Sequence, residues 1–218
     1  KDVEGIPIKY NIKILEIGNI IKKEFINFSK NSINTEDKKI NILVLGGSQA
    51  AKTFADILPK LFKECSQLGI YLKIYQHCLP DQSKNLKEFY SKENIEFETF
   101  NFTKNLEKYL SKVSLAITRS GSSVLAELTN ANIPFISVPL PSSADNHQLK
   151  NALFYERKNF AFLIEENDLN DKLVNLIQEI HNDRSKLNKI TENQKEYSDK
   201  NVYDNINKII KELINEKN

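Results

Sequence analysis

From Ile40 onward the chain switches repeatedly between two hydrophobic periods. Ile40-Asn41-Ile42-Leu43-Val44-Leu45 is a nearly continuous apolar run closed by Gly46-Gly47. This is the pattern of a parallel strand covered on both faces. From about Gln49 to Cys65 the apolar residues Phe54, Ile57, Leu58, Leu61 and Phe62 share one helical face. Pro59 is expected to kink that helix unless it lies near its start. Strand-like Tyr71–Tyr75, Ile95–Thr99, Ser114–Thr118, Pro134–Val138 and Phe160–Ile164 follow. Helical stretches at Gln82–Tyr90, Asn105–Leu110, Ser122–Asn130 and Asn146–Arg157 lie between them. Six strands alternating with helices predict an α/β fold: a Rossmann-like parallel sheet with helices on both faces and right-handed crossovers. After Ile164 the pattern is helical only. One stripe runs through Leu173, Val174, Leu176, Ile177 and Ile180, and another through Val202, Ile206, Ile209, Ile210, Leu213 and Ile214. The Lys- and Glu-rich stretches after residue 165 read as solvated helix faces. Before Ile40 the chain is polar and poorly periodic. A short apolar segment, Ile12–Ile17, ends at Gly18-Asn19, a basic stretch follows, and Asn31–Lys39 reads as a loop.

Composition narrows the function classes. The 218 residues are 40% hydrophobic and 28% charged, enough for a packed core and too apolar for disorder. Thirty-one basic against twenty-nine acidic residues leave +2, so no strong field draws nucleic acid. No apolar run approaches the ~18 residues of a membrane span, and Lys1-Asp2-Val3-Glu4 does not open like a signal peptide. Cys65 and Cys78 form no CxxC, which excludes zinc ribbons and disulfide frameworks and points to a reducing, cytoplasmic side. The sequence contains no Met, so the chain is expected to be the tail of a longer protein. Its basic residues are 28 Lys and only 3 Arg, so each Arg stands out.

In a parallel α/β sheet, ligands bind beyond the carboxyl ends of the strands. Three loops there carry candidate chemistry. Gly46-Gly47-Ser48-Gln49 joins a strand to a helix, where backbone N–H groups form an anion site and Ser48 adds a hydroxyl. The bland alternative is a tight turn with Ser48 as N-cap. Thr118-Arg119-Ser120-Gly121-Ser122-Ser123 is a second phosphate-ready turn. Glu127, early in the helix that follows, can grip paired ribose hydroxyls; the alternative is a carboxylate favoured by the helix dipole. Pro139–Gln148 is the third. His147, Gln148 and Asn151 there crowd the first helical turns, where polar groups can read sugar hydroxyls; the alternative is a helix capped by Asp145 or Asn146. His147 has no carboxylate or cysteine at ligand spacing, and His77 and His181 have less support still, so no metal site is expected.

These three loops, in this order, resemble the C-terminal half of the MurG family. The family's Gly-Gly-Ser-Gln-Gly-Ala loop stands here as Gly46-Gly47-Ser48-Gln49-Ala50-Ala51. Its Arg-Ser-Gly…Glu segment stands as Arg119-Ser120-Gly121 and Glu127, and its Pro…Asp…Gln…Asn-Ala segment as Pro139, Asp145, Gln148 and Asn151-Ala152. The resemblance implies the donor-binding domain of a GT-B glycosyltransferase. Such an enzyme moves GlcNAc from UDP-GlcNAc to the C4 hydroxyl of lipid I, giving lipid II in peptidoglycan synthesis, without a metal or other cofactor. By position, Ser48 and the helix opened by Ser122 and Ser123 would meet the diphosphate, and Gln49 and Arg119 would belong to the same UDP-GlcNAc site. Glu127 would take the ribose, and His147, Gln148 and Asn151 the GlcNAc. Thr103 would lie at uracil, and Lys22 stands where the family has Arg in Gly18-Asn19-Ile20-Ile21-Lys22. This sequence departs from the family at Ile20 for Pro, Lys22 for Arg, Ala50 for Gly and Val124 for Thr.

The resemblance further implies residues 1–39 as the end of an N-terminal domain and linker, 40–200 as the UDP-GlcNAc domain, and 201–218 as a helix returning toward the junction. The base and the acceptor contact are expected in the N-terminal domain, with the lipid-linked acceptor, UDP-GlcNAc and the cytoplasmic face of the bacterial inner membrane as partners. Rival expectations are the catalytic half of a split dolichol-pathway GlcNAc transferase, a non-catalytic nucleotide-sugar module, and a UDP-sugar epimerase. The last would need carboxylate acid/base groups in the cleft, and Glu127 is the one candidate.

Overall fold

The computed structural model describes residues 7–15, 17–28, 39–101, 106–197 and 201–215, and the side chains of residues 11–13, 24 and 48–51 lie outside the description. Six strands form one sheet: β1 (Ile40–Leu45), β2 (Leu72–His77), β3 (Glu96–Phe100), β4 (Leu115–Arg119), β5 (Phe135–Val138) and β6 (Phe162–Leu163). All pair in parallel, in the order β3-β2-β1-β4-β5-β6. The helices are α1 (Lys23–Asn27), α2 (Gly47–Gln67), α3 (Pro80–Lys92), α4 (Glu107–Leu110), α5 (Ser122–Asn130), α6 (His147–Arg157), α7 (Leu169–Asn182), α8 (Ser185–Glu196) and α9 (Val202–Asn215). The strand order reverses between β1 and β4, which opens a crevice at their carboxyl ends.

The two-sided apolar pattern of β1 is explained by what covers it. Ile42 and Val44 pack with Ile74, Ile117, Phe54 and Leu58 of α2, Leu86 and Tyr90 of α3, and Leu173 and Ile177 of α7. Leu43 faces the other way, with Tyr75, Ala116 and Phe135, Leu125 and Leu128 of α5, and Tyr155 of α6. The edge strand β3 is less buried, and its Glu96 pairs outward with Lys39 and Lys73. Charged residues on an edge discourage pairing with other chains.

Three expectations are adjusted by packing. Pro59 lies in the interior of α2, which runs through it. Apolar residues on both sides of it, Phe54, Leu58, Leu61 and Phe62, anchor the helix and offset the one backbone bond a proline removes. The last strand shortens to Phe162–Leu163, because only Ile136 and Ser137 of the short β5 face it; Phe160, Ala161 and Ile164 are buried outside the ladder. The stretch between α7 and α9, expected as a solvated face, contains α8, whose Leu187, Ile190, Thr191 and Gln194 are buried. The expected loop at Asn31–Lys39 lies outside the described residues except for Lys39.

The segment before β1 is held against the domain. Ile21 and Phe25 are buried, Phe25 among the residues of α5 and α6, and the Tyr203 hydroxyl of α9 donates to the Ile21 carbonyl at 2.9 Å. Further along α9, Ile210, Leu213 and Ile214 are about half exposed.

Four helices end the same way. Gly69, Asn94, Asn132 and Asn159 follow α2, α3, α5 and α6 in left-handed conformation. In each case the next residue's N–H closes a loop to the carbonyl five residues back: Ile70 to Cys65, Ile95 to Tyr90, Ile133 to Leu128 and Phe160 to Tyr155. These are C-terminal caps, and in three of the four Asn does the work usually given to Gly. Asn94 is exposed, with φ of 54°. Asn94→Val is expected to destabilise the fold by about 1–2 kcal/mol, because a branched side chain resists this conformation, while Asn94→Gly stays within about 0.5 kcal/mol. Urea unfolding of the two variants checks the contrast, and equal midpoints would contradict the cap.

Candidate nucleotide-sugar site

The carboxyl ends of β1 and β4 each lead into a helix whose first turn has no side-chain cap and no acidic residue. The free N–H groups of α2 and α5 therefore face the crevice with the positive end of the helix dipole behind them. At α2 the turn depends on Gly47, whose φ is +65°. A Cβ there would meet nothing within 4 Å, so backbone conformation and not crowding requires glycine. Ser48 and Gln49 lie in the first turn of α2, and the contacts expected of their side chains lie outside the described residues. Ser48 is not the N-cap; Gly46 holds that position. Ala50, inside α2, is helical, so the change from Gly there carries no left-handed strain.

The β4–α5 turn is tied into its neighbours. The Thr118 hydroxyl donates to the Leu45 carbonyl at 3.3 Å, joining β4 to β1, and the hydroxyls of Ser120 and Ser137 lie 2.7 Å apart, joining it to β5. Ser122 and Ser123 open α5 and are exposed. Glu127 lies just over one turn further on, 7% exposed. The Lys22 ammonium, on the segment before α1, sits 3.5 Å from its carboxylate. Most of the Lys22 side chain is in solvent, so the pair adds little to stability. It does bring a solvated cation to the Glu127 carboxylate on α5.

The third loop turns sharply. Asp145 and Asn146 are both left-handed, with φ of 51° and 52°. Two such residues in a row, of the types that tolerate it best, redirect the chain into α6. Neither caps the helix with its side chain. The Gln148 Oε1 accepts from two backbone donors, Ser120 N–H at 3.2 Å and Leu140 N–H at 3.0 Å. That double acceptance settles which end of the amide is oxygen and leaves the NH₂ group for a ligand. The Asn151 NH₂ donates to the Ser120 carbonyl at 3.0 Å, which leaves its carbonyl oxygen. His147 is exposed and its Nδ1 lies 2.8 Å from the Ala144 carbonyl, so its Nε2 faces solvent. Ser122 and Asn151 also border a cleft of about 320 Å³ with Asn19, Phe154, Tyr155 and Tyr197.

Ser122, Gln148 and Asn151 thus meet where α5 and α6 begin, with Ser123 and His147 next to them in sequence, while Lys22 and Glu127 pair further along α5. Arg119 differs. Its guanidinium is buried on the α2 side of the sheet, against Glu166, the Val138 and Pro139 carbonyls and the Phe54 ring, and does not open into the crevice. The alternation along β4 explains this, because Leu115, Ile117 and Arg119 share that face. Thr103 lies outside the described residues. Sequence inspection named Ser120 within its turn but did not single out Ser137, inside β5, or Glu166, in the turn after β6. His77, at the end of β2, is held below its ordinary value by burial. His181, on α7, is lowered by burial and then by Arg184. Among the described residues no group of three or more His, Cys, Asp or Glu could hold a metal ion, and no helix is long and apolar enough to cross a membrane.

A doubly wound parallel sheet with uncapped helix ends at its switch point defines a Rossmann-like α/β domain. The chain belongs to the glycosyltransferase family 28 C-terminal domain family, which matches residues 41–209. It is 36% identical over 217 residues to the UDP-N-acetylglucosamine–N-acetylmuramyl-(pentapeptide) pyrophosphoryl-undecaprenol N-acetylglucosamine transferase of Pelagibacter ubique, covering 99% of this chain and 60% of that protein. It is 34% identical to the protein of the same name from Rickettsia canadensis, over 81% of this chain and 52% of that one. The crystal structure of Acinetobacter baumannii MurG superposes with a TM-score of 0.71 at 26% identity, over 81% of this chain and 50% of that one. The chain therefore spans about 60% or less of the length of these relatives.

Proposed function

We propose that this chain is the donor-binding part of an inverting N-acetylglucosaminyltransferase that uses UDP-GlcNAc. The acceptor is the C4 hydroxyl of the undecaprenyl-linked muramyl-pentapeptide, lipid I, and the product is lipid II. The observation that carries the reading is the uncapped N-terminus of α5, held through Ser120 to the Gln148 and Asn151 amides, with the buried Glu127 carboxylate on the same helix. In this arrangement the helix N-termini and Lys22 hold the diphosphate. Glu127 accepts two hydrogen bonds from the ribose, and the Gln148 NH₂ with the Asn151 oxygen fixes the sugar hydroxyls. The acceptor hydroxyl attacks the anomeric carbon as the bond to UDP breaks, and the configuration inverts. Charge growing on the leaving diphosphate falls on N–H groups already oriented toward it, so no solvent reorganises during the step. The base that takes the hydroxyl proton and the acceptor contact belong to the part of the relatives this chain does not span. The site of action is the cytoplasmic face of the bacterial inner membrane, with peripheral contact.

Calorimetric titration of the 218-residue chain tests the reading. UDP-GlcNAc is expected to bind more tightly than UDP-glucose, and GDP-mannose not measurably. The N-terminal helix dipoles and Lys22 compensate the diphosphate, so the affinity is expected to be the same in EDTA and in excess magnesium. A loss of about tenfold or more in EDTA would replace the helix-end account with a bridging cation. Failure of any uridine nucleotide to bind would overturn the donor reading.

A further inference from the structure

We propose that Arg119 and Glu166 form a positioning clamp that sets the spacing of the β4–α5 and β5–α6 loops, and through it the amide of Gln148. One guanidinium bridges four elements beside the site. It stems from the last residue of β4. Its Nη1 lies 3.5 Å and 3.4 Å from the carbonyls of Val138 and Pro139 at the end of β5. Its Nη2 donates to Glu166 in the turn after β6. Its carbon centre lies 4.4 Å from the ring centroid of Phe54 on α2.

The next residue along each strand links the clamp to the site. Ser120 follows Arg119 and Leu140 follows Pro139, and these two residues supply the N–H groups that hold the Gln148 oxygen. The distance between the two donors is therefore set one residue behind them, where Arg119 bridges β4 to β5. Stability alone does not account for the pair. Arg119 is 5% exposed and its Nε is buried without a partner. A buried ion pair with an orphaned donor is a poor stabiliser compared with apolar side chains of the same volume. A lysine could neutralise Glu166, but it lacks the planar fork that reaches Glu166 and two carbonyls at once. That Arg occupies this position, in a chain with 28 Lys and 3 Arg, fits a need for the fork.

The functional readout rests on the donor reading, whereas the structural readout does not. Glu166→Leu is expected to lower the thermal midpoint by leaving Arg119 unpaired, and Arg119→Met with Glu166→Leu is expected to recover it. Amide hydrogen exchange at Ser120 and Leu140 should nevertheless stay at least about tenfold faster than in the original chain, with the rest of the sheet unchanged. UDP-GlcNAc affinity should stay about tenfold weaker, because Gln148 is no longer preorganised. Arg119→Lys, which keeps a charge for Glu166, is expected to show the same faster exchange. Original exchange rates at Ser120 and Leu140 in either folded variant would overturn the clamp. If the unmodified chain binds no UDP-sugar, the donor reading falls, and the exchange comparison still decides the clamp.

Discussion

Glu127→Ala is expected to weaken UDP binding by roughly tenfold to a hundredfold, the loss of about 1.5–3 kcal/mol that accompanies removal of charge-assisted hydrogen bonds. The carboxylate is buried on α5, the helix whose uncapped N-terminus follows β4 at the switch point. Ribose hydroxyls are paired donors, and one carboxylate can accept from both. The fold should survive, because Leu125 and Leu128 anchor α5 in the core and Lys22 stays solvated after the change. Glu127→Gln should fall between, since an amide offers one acceptor without charge. The check is UDP titration beside a thermal melt. A folded alanine variant with an unchanged dissociation constant would remove Glu127 from the site.

The largest effect on stability is expected at Gln194. This side chain is fully buried on α8, and its NH₂ donates to the Ile133 carbonyl at 3.1 Å and the Phe160 carbonyl at 2.7 Å. Those carbonyls belong to the turns after α5 and after α6, each just past a left-handed asparagine. One amide thus stitches together the entries to β5 and β6. Gln194→Leu leaves two buried carbonyls unsatisfied, at about 1–3 kcal/mol each. Because the Gln194 oxygen is itself buried without a partner, the lower part of that range is the better expectation, about 2–4 kcal/mol in all. For a domain of this size each kcal/mol moves the thermal midpoint by about 2–4 °C. Urea unfolding of Gln194→Leu beside an exposed control, Lys189→Ala, measures it. A difference below about 0.5 kcal/mol between the two would mean that the carbonyls have found other partners.

Gln194 also marks a limit of sequence inspection. A glutamine in a Lys-, Glu- and Asn-rich stretch looks like a solvated residue, because nothing local records the two distant carbonyls it meets. The same holds for the strand ends. Phe160 and Ile164 belong to an apolar run that reads as one strand, but a strand lasts only as long as its neighbour, and β5 is four residues long. Pro59 reads as a breaker because local propensity gives no weight to the core that holds α2 together on both sides.

What the sequence determined by itself is the alternation of elements, the three loops and the residue types within them. Buried parallel strands and amphipathic helices are encoded in periods of a few residues, and a Gly- or Ser-rich turn after an apolar run is a local signal. The resemblance carried by those loops was specific enough to indicate the family that the match over residues 41–209 supports. Tertiary structure alone decided which atoms of those residues remain available to a ligand. Gln148 has its oxygen occupied and its NH₂ left over, because Ser120 and Leu140 converge on it from two strands. Glu127 meets Lys22 because α1 packs on α5. Arg119, which lies in a phosphate-ready motif, is turned by the strand's two-residue alternation onto Phe54 and Glu166, away from the crevice. Orientation and pairing depend on segments far apart in the chain, and a linear pattern has no term for the distance between them.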